Sequence, residues 1–364
     1  MTGSVGRRLL LAAAMIVLQF GVFEAALRYQ GGSEASPTFQ RLFMPDDAIG
    51  YRLRPGASIR FATPEFTTDI AINPQGVRDE PVPSPKPPGE RRVVVLGDSI
   101  VLAVQVEAHE TFTARLQNRL NANAPGGYRV VNAGVQGYGP VDELLFFRRV
   151  ASHFEPDVVL ITIFVANDAI EAADRLWRLD PSRRTDPALQ EEAEQRLRRL
   201  VRRSMVAQIL RLRVRQALER FSARPAPDRR ILGYAEQPPA AVLAAFDTAR
   251  DVVARMDAEI RARGARSAIV LVPARFQLDP GELRRVQEMV GADGFTVTAD
   301  GASRRFEEAL APLGVPMLDL LPVFRSAPDP DGIFFERTVH LTPAGHELTA
   351  AAIARFLDAE GLTP

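Results

Sequence analysis

The sequence predicts an α/β domain organised on a five-stranded parallel sheet, preceded by a small β-rich preface and an N-terminal membrane helix. Three observations carry that expectation. From residue 92 onward, short unbroken apolar runs alternate with longer amphipathic ones, the pattern of strands buried on both faces and joined by crossover helices. Between residues 31 and 90 prolines and turn residues punctuate the chain, and the apolar period there is two residues. The first thirty residues differ again, with Arg7 and Arg8 followed by an apolar run.

That run, residues 9–27, covers 19 residues, roughly 28 Å of helix and about the thickness of a hydrocarbon layer. Ala25 and Ala26 match a signal-peptidase site poorly, so an uncleaved anchor is expected. The arginines ahead of it are expected to place the N-terminus in the cytoplasm and the rest of the chain outside it.

In the preface, Phe66, Thr68, Ile70 and Ile72 fall on one side of a strand before a turn at residues 73–76. Residues 81–89 contain Pro81, Pro83, Pro85, Pro87 and Pro88 and predict a stiff, extended spacer. The main domain then occupies residues 91–364, with strands expected at residues 93–96, 129–133, 158–164, 268–272 and 315–318. Helical spacing at Phe112, Leu116 and Leu120, over residues 144–150 and over residues 241–262 supplies layers on both faces. Residues 171–235 break the alternation and are expected to be an insertion. They hold 16 arginines against 9 acidic residues, concentrated in a basic amphipathic helix over residues 196–220.

Composition narrows the function. With 364 residues and 46% hydrophobic content the chain can build a large core. Forty-five basic residues balance forty-five acidic ones, so no whole-molecule attraction draws it to nucleic acid. The absence of cysteine excludes disulfides, a thiolate nucleophile and thiolate zinc sites. No His-Glu-x-x-His pair suggests a metal, and Gly134, Gly137 and Gly139 do not have the spacing of a dinucleotide fingerprint, so no cofactor is expected.

Four segments can carry chemistry. Gly97, Asp98 and Ser99 follow the first strand of the main domain, which places a serine on a strand-to-helix turn with its amide among the orphan N–H groups of a helix start. The second glycine of the Gly-x-Ser-x-Gly elbow is missing, since Val101 stands there. After the second strand, Gly137 offers a backbone donor, and after the third, Asn167 offers a side-chain amide at the same sheet edge. Ordinary turn chemistry is the plainer reading of each alone. Near the C-terminus His340 lies in a loop just before Pro343 opens a helix, whereas His346 falls inside the helix start and is expected to cap or pack. His109 and His153 belong to amphipathic helices and read as surface residues.

Taken in order, Ser99, Gly137, Asn167 and His340 resemble the four blocks of the SGNH hydrolases, or GDSL esterases and lipases, of the membrane-anchored bacterial type. The resemblance spans residues 92–362, and the preface at residues 51–78 is also similar to the N-terminal piece of anchored members. It implies a flavodoxin-like three-layer α/β/α domain with Ser99 as nucleophile and His340 as general base. It further implies an oxyanion hole made by Ser99, Gly137 and Asn167.

Members usually carry an aspartate three residues before the histidine, where this chain has Arg337. Glu336 is then the expected acid, with Asp331 as a more distant candidate. The expected activity is hydrolysis or transfer of an acyl group, such as O-acetyl, on an envelope carbohydrate or lipid. A noncatalytic envelope binding module is the alternative, suggested by Arg337 and by the arginine-rich insertion.

Overall fold

The computed structural model describes residues 37–123, 127–180, 182 and 228–363. The expected anchor and the basic helix of residues 196–220 lie outside the described residues. Among those described, no helix is long and apolar enough to cross a membrane.

The preface forms two antiparallel hairpins, β1 (Phe43–Asp46) with β2 (Gly50–Leu53), and β3 (Ser58–Ala62) with β4 (Thr67–Ala71). The two-residue period is realised in the second, where Ile59, Phe61, Thr68 and Ile70 are all buried on one face. Those apolar side chains belong to the same continuous core as the central sheet. Nor does the proline-rich stretch act as a free spacer. Val82 is buried, and the carbonyls of Val82 and Pro83 accept from Gln75 Nε2 (3.1 Å) and Arg92 Nη2 (2.8 Å).

The main domain runs through β5 (Arg91–Gly97), α1 (Ser99–Leu102), α2 (Phe112–Asn123), β6 (Tyr128–Gly134), α3 (Pro140–Arg149), β7 (Val158–Phe164) and α4 (Asp168–Arg175). It continues through α5 (Ala240–Arg261), β8 (Arg266–Val272), α6 (Pro280–Gly291), α7 (Gly301–Leu310), β9 (Met317–Asp319) and α8 (Pro343–Ala359). All five strands of its sheet are parallel, in the order β6-β5-β7-β8-β9. In β7 every residue of Val158–Phe164 is buried, as an apolar run covered on both faces must be. Helices α3, α4, α5 and α7 pack together on one side, and α2 packs with α8 on the other. This is the expected α/β architecture with a layer of helices on each face.

The fifth strand starts at Met317, two residues later than expected; Pro316 lies ahead of it, and its carbonyl accepts from Ile269 N at 2.8 Å. The segment expected to begin at Glu171 is built into the fold at both ends. Glu171 lies inside α4, and Tyr234 packs edge-on against Phe276 at 4.6 Å between ring centroids.

The strand order has a physical consequence for the site. From β5 the chain moves outward to β6 and then reverses to β7, so the connections leave the sheet in opposite directions and open a crevice at the carboxyl ends of these strands. The residues after β5, β6 and β7 meet there.

Candidate functional site

Ser99 enters the crevice on a tight turn. Asp98 caps α1 by accepting the Ile100 N–H at 2.8 Å, and the helix ends after one turn at Ala103, whose φ of +53° and ψ of +47° reverse the chain. A non-glycine residue in that conformation needs support from its surroundings. Arg78, only 3% exposed, provides it: its guanidinium donates to the carbonyls of Leu102 (3.0 Å), Ala103 and Val106 (2.7 Å). Thr68 Oγ1 adds a bond to Val104 O at 2.7 Å, and Asn132 Nδ2 another to Val101 O at 2.7 Å. The turn packs so closely on β6 that a Cβ at Gly134 would lie 2.4 Å from the Leu102 nitrogen.

His340 comes from a loop folded on itself ahead of α8. Phe335 N donates to His340 O at 3.0 Å, and Thr342 N donates to Ile333 O at 2.9 Å. Thr342 caps α8 by accepting from Gly345 N at 3.2 Å, with Pro343 in the first turn. The result places His340 Nε2 2.9 Å from Ser99 Oγ, both groups being nearly buried. Burial also lowers the His340 pKa to about 4, so the ring is neutral at pH 7 and able to accept a proton. His346 is structural, as expected: its Nδ1 accepts from Phe112 N at 3.2 Å and its ring stacks on Phe112.

The expected acid is not where a triad requires it. His340 Nδ1 is buried and has no partner among the described residues, so neither Glu336 nor Asp331 is bonded to it. Glu336 is exposed, and it is its backbone carbonyl that is engaged, by Arg275. The fold of the loop explains this, because the pairing of Phe335 with His340 leaves Glu336 and Arg337 on the exposed tip between them. Arg337 contributes its backbone N–H to Glu65 Oε1 at 3.0 Å, which ties the histidine loop to the preface.

Gly137 and Asn167 reach the same crevice. Gly137 has a φ of +69°, a conformation that excludes most side chains, and among the described residues no protein acceptor takes its N–H. Its carbonyl accepts from Arg175 Nη1 at 2.8 Å, and the preceding carbonyl, that of Gln136, accepts from the Tyr51 hydroxyl at 2.7 Å. Asn167 is the residue ahead of α4. One of its two Nδ2 hydrogens is used by Glu171 Oε1 at 2.9 Å, leaving the other for a ligand. A cavity of about 560 Å³ connects these groups, lined by Ser99, Gly137, Asn167 and His340 together with Tyr234 and Phe276.

Behind the turn lies a set of buried carboxyls. Burial pushes the pKa values of Glu143 and Asp168 well above the usual range. The charge of Asp98 pushes both further in the same direction, and that of Glu143 adds to the effect on Asp168. Asp168 Oδ2 accepts from Phe164 N at 2.8 Å, while both Glu143 oxygens lack a partner among the described residues. Neither this group nor any other set of three His, Cys, Asp or Glu among the described residues is arranged to hold a metal ion.

Tyr51, Arg78 and Arg175 were not legible as site residues. Each acts on backbone carbonyls distant in sequence, and such partners leave no periodicity or motif.

The sequence matches the model of the GDSL-like lipase/acylhydrolase family over residues 95–304. No curated protein matches it. Solved structures similar to it include TesA, at 16% identity and a TM-score of 0.41, covering 74% of this chain and 99% of that one. A single-residue variant of Axe2, an acetyl xylan esterase from Geobacillus stearothermophilus, is similar at 15% identity and a TM-score of 0.41, covering 73% and 94% of the two chains. A lipase/acylhydrolase from Enterococcus faecalis is similar at 16% identity and a TM-score of 0.40, covering 74% and 96%.

Proposed function

The chain belongs to the GDSL-like lipase/acylhydrolase family and is a serine ester hydrolase; on that premise we propose that Ser99 is its nucleophile and His340 its general base. The observation that carries the assignment is the 2.9 Å contact between Ser99 Oγ and His340 Nε2 in the lining of the cavity. Both groups are prepared for acyl transfer. As Ser99 Oγ attacks an ester carbonyl, the neutral ring accepts the hydroxyl proton and then delivers it to the departing alkoxide. The Ser99 and Gly137 amides and the free Nδ2 hydrogen of Asn167 stabilise the tetrahedral oxyanion. Water, or a second hydroxyl in a transfer reaction, then releases the acyl group from Ser99.

The substrate is an acylated carbohydrate or lipid of the cell envelope, and the group removed is a short acyl such as acetyl. Two features support this reading. Phe164, Tyr234 and Phe276 give the cavity apolar walls, while Arg230, Glu282 and Arg337 give it a charged rim suited to a polar alcohol half. Arg7, Arg8 and the apolar run after them support an inner-membrane tether with this domain in the periplasm.

The test is direct. A fluorophosphonate probe should label the protein at Ser99, with Ser99→Ala unlabelled. Release of acetate should be seen from acetylated oligosaccharides or from a glycerol ester. A folded protein whose Ser99 stays unmodified, or whose Ser99→Ala variant hydrolyses esters as fast as the parent, would overturn the assignment.

A further inference from the structure

We propose that Tyr51, from the β-rich preface, is a positioning residue for the oxyanion hole, fixing the direction of the Gly137 N–H by holding the carbonyl of Gln136. The inference rests on the role given to Gly137 above.

The argument begins with the peptide unit. The Gln136 carbonyl and the Gly137 N–H belong to one planar trans amide and point in opposite directions. A group that fixes the oxygen therefore fixes the hydrogen. Tyr51 reaches 85 residues along the chain to donate its hydroxyl to Gln136 O at 2.7 Å, on the side of the amide opposite the Gly137 N–H. Without that donor the amide loses the bond from Tyr51 that opposes its rotation about the flanking bonds. A glycine at φ +69° opposes such rotation less than any other residue.

The neighbouring atoms are consistent with a built device. The Tyr138 hydroxyl donates back to Tyr51 O at 2.6 Å, so the two tyrosines lock β2 and the glycine loop reciprocally. The Tyr51 ring packs on Phe43 and Tyr138, with centroids 5.8 and 5.7 Å away. A Cβ at Gly137 would lie 3.1 Å from the Tyr51 hydroxyl, a tight contact that would push against the bond to Gln136 O. On the far side of the glycine, Arg175 holds the Gly137 carbonyl and is itself fixed by Asp142 and Glu171. The two carbonyls flanking the Gly137 N–H are thus both pinned, one of them from the preface. Burial raises the Tyr51 pKa well above the ordinary phenol value, which keeps the donor protonated throughout the working range.

Tyr51→Phe in the full-length protein tests this, measured on p-nitrophenyl acetate. Removing a whole oxyanion donor costs about 10²- to 10³-fold in kcat, and misdirecting one is expected to cost about 10- to 100-fold with KM within twofold. Affinity for a boronic acid that forms a tetrahedral adduct on Ser99 should fall in parallel. Phe43→Leu, which loosens the packing of the same ring but leaves the hydroxyl, supplies the control for stability and is expected to keep the parental kcat.

An unchanged kcat in Tyr51→Phe, a change in KM alone, or an equal loss of kcat in Phe43→Leu would overturn the proposal. If Tyr51→Phe does not fold, Tyr51→Met, which keeps an apolar side chain but supplies no donor to Gln136 O, is measured on the same kcat and boronate readouts, and parental values there would overturn the proposal. Ser99→Ala assayed alongside separates the two levels: its full activity would remove the nucleophile assignment itself, whereas its inactivity beside a fully active Tyr51→Phe removes only the tyrosine.

Discussion

Ser99 Oγ and His340 Nε2 lie 2.9 Å apart although 241 residues separate them in the chain, and the other nitrogen of the same imidazole meets no partner among the described residues. On the proposed roles the site is a serine–histidine dyad whose base has no bonded carboxylate among the described residues. Among the described residues no carboxylate is bonded to the imidazolium that forms when the ring takes the serine proton, and burial lowers its pKa to about 4. The acid limb of the pH profile should report this. Activity needs the neutral ring, so kcat/KM is expected to stay level from pH 8 down to about 5 and to be half lost near pH 4. An inflection near the ordinary histidine value of about 6.5 would contradict the desolvated, unpaired ring.

The same geometry separates the side chains around the base. Ser99→Ala and His340→Ala should each lower kcat by about 10³-fold or more, with residual rate coming from the oxyanion donors. Glu336→Gln should leave kcat within about threefold of the parent, because its carboxylate is not bonded to the ring and its engaged group is a backbone carbonyl. A loss in Glu336→Gln as large as that in His340→Ala would restore the glutamate to the mechanism.

What the sequence makes legible follows from where each signal is stored. Strands β5 to β8 could be placed because strands covered on both faces have to be continuous apolar runs, and Ser99, Gly137 and Asn167 followed because parallel strands deliver their ends to one edge. His340 was readable through the Thr342 and Pro343 helix start beside it. The acid was not, since spacing along a loop does not say which side chains its tip exposes, and Glu336 turned out to lie on the exposed tip. Tyr51 and Arg78 were invisible for a different reason. Their partners are carbonyls, which every residue possesses.

Glu143 offers a prediction about stability rather than rate. Its folded pKa is raised, chiefly by burial and further by Asp98 and Asp142, so the folded state holds a proton that the unfolded chain releases near 4.5. The sign follows from that difference. Its contribution is fully present below the unfolded value and is lost as the pH rises toward the folded one. Glu143→Gln keeps the shape of the protonated acid and removes the titration. Its melting temperature should exceed that of the parent at pH 8, by more than it does at pH 5. An equal difference at the two pH values would mean that Glu143 is ionised in the folded protein.

Arg78 should matter to both quantities. Burial lowers its pKa to about 10, so it remains charged at neutral pH, and it donates to the carbonyls of Leu102, Ala103 and Val106 at and just beyond the end of α1. Arg78→Met preserves much of the side-chain length but supplies no donor. Leaving the Leu102 and Val106 carbonyls without the donor that reaches them should cost about 2–4 kcal/mol in urea unfolding. The left-handed Ala103 loses its support in the same step, and α1 carries Ser99. A fall in kcat of about tenfold or more is therefore expected at temperatures where the variant is still folded. A variant that lost stability but kept the parental kcat would show that the serine turn holds its geometry without the preface.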